Sequence, residues 1–180
     1  TLYFIYFAQE GIFFLSGEAY SGSIIPMQII MPTLLLIGIT NILGIQILVP
    51  LGKEKIVLYS EITGAVIDVI INALLIPRFA SAGAAIGTLV AEFAVLVVQY
   101  IALKDEVTDT FKQVHYFRIL IALVLGSVAS LWVKTLGLGN FLTLLISAVL
   151  FFGVYGLFLL FRKEEMIVEI WNMVVGKVFK

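Results

Sequence analysis

Two carboxylates sit where a chain can least accommodate them. In "GAVIDVIINALLIPRFASAGAAIGTLVAEF", Gly64 to Phe93, Asp68 falls in the middle of one apolar run and Asn72 follows one turn later. Glu92 interrupts the next run. A carboxylate in such a setting holds a proton, binds a cation, faces a hydrated cavity or pairs with a partner. On a helix, Glu61, Ala65, Asp68 and Asn72 fall within about 60° of one another. Gly64 borders that stripe, and Thr63, Val66, Ile67, Ile70 and Leu74 take the opposite face. Ala85, Thr88, Glu92 and Gln99 form a second polar stripe on the next run. No Lys or Arg lies in the interior of either run.

A bland role stands beside each of these. Asn41, Asn72, Gln46 and Gln99 suit interhelical glue, because amides commonly bridge helices in lipid. Glu61 lies near one end of its run and can reach the interface. Asp68 and Glu92 weigh more, since an ionised side chain at mid-membrane costs at least about 2.5–3.5 kcal/mol on insertion scales. Asp68, Asn72, Glu92, Asn41 and Glu61 are therefore the candidates for cavity or ion-coupling residues.

These residues need helices to position them. The chain has 180 residues, 62% hydrophobic and 13% charged, with a mean hydropathy of +1.14. Soluble domains are nearer 45–50% apolar and about 25% charged. The composition points to an all-α, polytopic transmembrane bundle. A spanning helix needs about 20 apolar residues, and six segments qualify in whole or part. They cover about 1–16, 24–50, 56–76, 83–103, 117–134 and 141–161. The second is long and carries Pro26 and Pro32, which predict a tilt or kink. Tyr116, Phe117 and Trp132 suit interfacial anchors of the fifth. Gly83, Gly87 and Ala91, and Ala122, Gly126 and Ser130, are small-residue ladders that let helices approach closely. The domain reading is a transmembrane lobe over 1–161 and a cytoplasmic tail over 162–180. In the tail, Ile167, Ile170, Trp171, Val174 and Val178 share one stripe, predicting an amphipathic helix on the membrane surface or packed on the bundle. The chain opens on Thr1 inside an apolar run, which suggests the C-terminal part of a longer protein.

Charge sets the orientation. Of eleven Lys and Arg, nine fall in the loops 51–55 and 104–118 and the tail, and two, Arg78 and Lys134, on the other side. The positive-inside rule places the nine, and the C-terminus, in the cytoplasm. There are no cysteines, which excludes disulfides and thiol catalysis. No phosphate-binding loop, nucleophile elbow or zinc-protease motif occurs. The single histidine, His115, lies in a charged loop. No enzymatic activity, cofactor, metal or nucleic-acid partner is expected.

"ILGIQILVPLGKEK" (42–55), "GAVIDVIINALLIPRF" and "GAAIGTLVAEFAVLVVQ" together resemble the C-terminal half of the bacterial polysaccharide flippases. These export O-antigen and capsule repeat units and belong to the multidrug/oligosaccharidyl-lipid/polysaccharide exporter superfamily. "FLSGEAYSGS" (14–23) is similar to the turn after that family's ninth span. The resemblance covers almost the whole chain and is strongest over 42–99. It implies the last six of fourteen spans, and a bacterial inner-membrane location with a cytoplasmic C-terminus. It also implies flipping of an undecaprenyl-pyrophosphate-linked oligosaccharide by alternating access between two lobes. The implied partners are that lipid-linked oligosaccharide, membrane lipids and the missing N-terminal lobe. Asp68 stands where the family more usually has Asn. These spans also hold no cation for the pyrophosphate, so that contact falls to the other lobe. A drug/cation antiporter or peptidoglycan-precursor flippase of the same superfamily is the alternative. A membrane-embedded glycosyl or acyl transferase is the alternative of another class.

Overall fold

The computed structural model describes residues 1–162, and the tail stripe from Ile167 to Val178 lies outside the described residues. The described chain is helical, with no strand among those residues. It divides into two compact units, Thr1–Gln113 and Val114 onward.

The first unit begins with α1 (Leu2–Tyr6) and α2 (Ala8–Ser16), followed by a 3₁₀ stretch at Glu18–Ser23. Next come α3 (Ile24–Ile30) and α4 (Thr33–Asn41). The break between these two falls at Met31 and Pro32, close to where the prolines predict one. Proline has no N–H to donate, and its ring crowds the preceding turn. The helix restarts on tighter i→i−3 bonds, from Leu34 to Met31 and from Leu35 to Pro32. Thr33 Oγ1 donates to the Ile30 carbonyl, and Gln28 Nε2 donates to the Ile5 carbonyl at 3.0 Å, tying α3 to α1.

Beyond α4 the helix widens into a π-helical segment, Ile42–Leu48. Val49 N–H donates to Gly44 O at 3.0 Å, and Lys53 N–H to Leu48 O at 2.9 Å, both five residues back. Leu43 and Leu48 from this segment join Leu103 and Val107 in a buried apolar cluster.

The longest helix, α5, runs over Glu54–Gln113, 60 residues. Straight, it would measure about 90 Å, three times the hydrocarbon core of a bilayer. It instead breaks at Ala80, where φ is 48° and ψ is −127°. Pro77 weakens the preceding turn. The chain reverses there into a hairpin, which we call the first arm (54–79) and the second arm (81–113). The contacts run antiparallel. Gly83 packs on Leu75, Gly87 on Asn72, and Gly64 on Ala91 and Val95. Further down, Gln99 meets Ser60. At the open end Lys53 Nζ meets Glu106 Oε1 at 2.8 Å. The third and fourth predicted spans are thus the two arms of one hairpin.

Ala80 is a positive-φ residue that is not glycine. Such a conformation costs of order 1–3 kcal/mol for an L side chain, whereas glycine adopts it without steric penalty. Ala80→Gly is expected to stabilise the protein by roughly 1 kcal/mol after glycine's larger entropy loss is subtracted. Thermal unfolding in detergent checks this, and a lowered midpoint would count against the hairpin turn.

The second unit is α6 (Tyr116–Leu131), a 3₁₀ turn at Trp132–Leu136, and α7 (Asn140–Phe161). The predicted ladder forms its seam. Ala122, Gly126 and Ser130 are buried on α6, as are Ser147 and Phe151 on α7. A Cβ on Gly126 would stand 2.9 Å from the Phe151 carbonyl oxygen. Tyr116, Phe117 and Trp132 are exposed, as anchors would be.

Among the described residues, four helical stretches are long and apolar enough to cross a membrane: Glu18–Leu48, Glu54–Thr108, Tyr116–Leu136 and Asn140–Phe161. The second does so as a hairpin.

Candidate functional site

The site is built on the seam between the arms of α5. Its framework is a spacing of four residues on each arm, which keeps side chains on nearly one face of a helix. Ser60, Gly64, Asp68 and Asn72 line the first arm, and Gly83, Gly87, Ala91, Val95 and Gln99 the second. The small residues bring the backbones close. A Cβ on Gly64 would lie 2.5 Å from Val95 Cγ2 and 3.3 Å from Ala91 O.

At the turn end, Asn72 Nδ2 donates to Asp68 Oδ2 at 3.0 Å, one helical turn apart. The second carboxylate oxygen, Asp68 Oδ1, and the amide oxygen, Asn72 Oδ1, are both buried without a hydrogen-bond partner. Both abut Gly87. A Cβ there would stand 2.2 Å from Asn72 Oδ1 and 3.2 Å from Asp68 Oδ1. At the open end, Gln99 Nε2 donates to Ser60 Oγ at 3.0 Å, and Ser60 Oγ donates to Val57 O at 2.7 Å. Gln99 and Ser60 are almost fully buried. A Cβ on Gly44, in the π-helical segment, would lie 3.1 Å from Gln99 Nε2. The widened turn therefore abuts the buried amide. Single π turns inside helices are frequent at functional sites.

Two clefts open between these ends. The first, about 230 Å³, is lined by Glu61, Gly64, Ala65, Asp68, Thr88, Ala91, Glu92 and Val95. The second, about 260 Å³, includes Thr40, Asn41, Gly44, Glu61, Glu92 and Gln99 in its lining. Glu61 and Glu92 belong to both, so the polar surface runs from Asp68 through the two glutamates to Asn41.

The structure thus brings four of the five candidates, Asp68, Glu61, Glu92 and Asn41, onto this surface. The fifth, Asn72, lies beyond the clefts and holds Asp68. Asn41 is exposed and also donates Nδ2 to the Ile37 carbonyl at 3.0 Å. Gln99 is the interhelical bridge its residue type suggests. Asn72 bonds within its own arm instead of across the seam. Ser60 and Gly44 are additions to the site. Ser60 was open to detection, because it continues the four-residue ladder of Gly64, Asp68 and Asn72. Gly44 carried no such signal.

Among the described residues no group of three or more His, Cys, Asp or Glu is placed to hold a metal ion. On the outer face of the first arm, Val66, Ile70 and Leu74 are all more than half exposed, as the opposite stripe predicts.

The chain is 27% identical over 140 residues to the uncharacterized membrane protein MJ1068 of Methanocaldococcus jannaschii. The matched region is 78% of this chain and 27% of that protein, so the chain spans about a quarter of its relative's length. This is a multi-pass helical membrane protein. No protein-family model matches the chain. No solved structure matches it either.

Proposed function

We propose that this chain is the C-terminal lobe of a transporter that flips lipid-linked oligosaccharides across the cell membrane by alternating access. The observation that supports it best is the polar seam. Glu61, Asp68, Thr88 and Glu92 line one cleft between the arms of the hairpin. Lipid-facing helices have no use for such a cleft, whereas a hydrated translocation path requires one. The resemblance of residues 42–99 to the polysaccharide flippases gives the cargo: a polyprenyl-pyrophosphate oligosaccharide bound for surface polysaccharide. The acidic lining suits the sugar hydroxyls and a coupling cation. The cargo's pyrophosphate would meet basic groups elsewhere in the complete protein. The reading makes the protein a transporter and not an enzyme. The excess of basic residues on one side orients it in the plasma membrane with the C-terminus in the cytoplasm.

The reading is tested with the complete protein in liposomes carrying a fluorescent lipid-linked oligosaccharide. The expected result is protein-dependent movement of the label to the outer leaflet, where a membrane-impermeant quencher reaches it. Label held at the protein-free level would overturn the cargo. Chemical turnover of the donor lipid in detergent, without vesicles, would instead favour a membrane-embedded transferase.

A further inference from the structure

A further hollow lies outside the polar seam. It has a volume of about 300 Å³ and is lined by Ile39 of α4 and by Phe93, Leu96, Val97, Tyr100 and Phe111 of the second arm. Five of the six side chains are purely apolar, and Tyr100 supplies the one hydroxyl. A lining of this kind favours hydrocarbon. The hollow is open sideways, with Phe93 57% exposed and Tyr100 41%. The rings of Tyr100 and Phe111 meet edge to face, their centroids 6.2 Å apart. A straight helix would separate these two residues by about 16 Å, so the arm bends and folds Phe111 back onto Tyr100. The hollow does not face the first cleft. At about 100° per residue, Thr88, Ala91 and Val95 of that cleft fall about 140–160° round the arm from Phe93.

Charge gives this face a direction. Lys104 stands one turn beyond Tyr100 and falls within about 40° of Phe93, Val97, Tyr100 and Phe111 round the arm. It is exposed and has no ion pair among the described residues. The neighbouring acids turn away from it. Asp105 and Glu106 fall about 100° and 160° round the arm from Lys104, and Glu106 is held by Lys53 at 2.8 Å. None of the positions 93, 97, 100, 104 and 111 is acidic. From Phe93 to Lys104, about three turns, the face presents hydrocarbon, then a phenol, then one cation. An occupant must match that order, with an apolar chain followed by a single anionic group.

We propose that this face binds one anionic glycerophospholipid, with an acyl chain in the hollow and the phosphate on Lys104. Tyrosines at a membrane interface sit at headgroup level, and basic residues beside grooves between spanning helices take anionic headgroups. A zwitterionic lipid brings its own ammonium, which competes with Lys104 for the phosphate. The cargo of the proposed transport also joins hydrocarbon to phosphate. The hollow, however, faces away from the first cleft, so its occupant is bulk membrane lipid. That lipid touches α4 and the second arm at once and holds the two together. The site rests on the helices lying in a membrane with Lys104 at its surface, and not on transport.

The test uses the complete purified protein in detergent, titrated with phosphatidylglycerol and with phosphatidylcholine of the same acyl chains. Native mass spectrometry measures the lipid bound, and the unfolding midpoint measures the stabilisation that binding brings. Wild type is expected to bind phosphatidylglycerol in preference and to unfold at higher temperature with it. Lys104→Gln should weaken phosphatidylglycerol at least about fivefold, the worth of one lysine near an anionic lipid surface, and leave phosphatidylcholine unchanged. Val97→Trp, which fills the hollow, should weaken both lipids. Lys55→Gln, at the same end of the hairpin but on the other arm, should change neither. Lys104 is on the surface, and the midpoint of Lys104→Gln without lipid confirms that it folds. Equal binding of the two lipids by wild type overturns the proposal. So does a Lys104→Gln variant that binds phosphatidylglycerol as wild type does. A Lys55→Gln variant that loses it equally would mark diffuse surface charge and overturn the site. Displacement of phosphatidylglycerol from wild type by an equimolar polyprenyl pyrophosphate would assign the hollow to the cargo, which also overturns it. A failed flipping assay leaves these results standing.

Discussion

Asp68→Ala in the complete protein is expected to reduce transport at least tenfold while leaving the protein folded and in the membrane. A tenfold loss corresponds to about 1.4 kcal/mol, a modest demand on a group that the transport proposal places in the path. The stability effect should run the other way or vanish. Replacing Asp68 frees Asn72 Nδ2 from its partner at 3.0 Å, which costs about 0.5–1.5 kcal/mol. It also removes a carboxylate whose burial at mid-membrane costs at least about 2.5–3.5 kcal/mol. The expected signature is therefore an unchanged or raised unfolding midpoint with lost transport. Asp68→Asn should behave alike, since it keeps the shape and removes the charge. Wild-type transport in both variants would leave Asp68 with a packing role alone. Val66→Ala, on the outer face of the same arm, is the control expected to transport normally.

The largest structural effect is expected at Gly83. A Cβ there would stand 2.6 Å from the carbonyl carbon and oxygen of Leu75 and 2.9 Å from the Ile76 nitrogen. All three are backbone atoms, so no rotamer relieves the contact and the arms must part. Overpacking by one methyl group costs about 1–3 kcal/mol, and Gly83→Leu should exceed that and prevent the hairpin from closing. Gly38, in the middle of α4, is the counter-case, because nothing lies within 4 Å of its Cβ position. Gly38→Ala is expected to be neutral or to stabilise by about 0.5–1 kcal/mol through helix propensity. Midpoints from thermal unfolding in detergent decide it. A Gly83→Leu variant as stable as wild type would mean that the arms do not pack at this distance.

Most of the architecture was legible in the sequence because lipid restricts the chain to a few solutions. The apolar runs 56–76 and 83–103 became the arms of α5, and 117–134 and 141–161 became α6 and α7 with their ends. The prolines of the second segment marked the break before Thr33. The ladders at Gly83, Gly87 and Ala91 and at Ala122, Gly126 and Ser130 pack as their spacing implies. Three features were not legible, each for a physical reason. The π-helical segment "ILGIQIL" is as apolar as an α-helix would be. Its wider bonding depends on what it packs against, including Gln99, which is distant in sequence. The hairpin turn was expected between the runs, yet the left-handed residue is Ala80 and not Gly83. Gly83 is needed for its missing side chain against Leu75, so the strained dihedral falls on alanine. The partner of Asn72 also differs from a bridge between helices. The i, i+4 spacing to Asp68 permits a bond within one arm, and Gly87 leaves no donor on the other.

The central claim is that the seam of α5 lines a water-filled path and is not a dry packing surface. The chain has no cysteine, so single cysteines in its polar and apolar faces add no background from this chain, and labelling of the unsubstituted complete protein is subtracted. Thiols react as thiolates, which apolar surroundings suppress. The direct measurement is labelling of Ala65→Cys and Thr88→Cys, in the cleft, against Val66→Cys and Ile70→Cys, on the outer face, with a membrane-impermeant thiol reagent on the complete protein in vesicles. The account predicts modification at 65 and 88, slowed by added lipid-linked oligosaccharide, and none at 66 and 70. Cysteines at 65 and 88 as inert as those at 66 and 70 would contradict it.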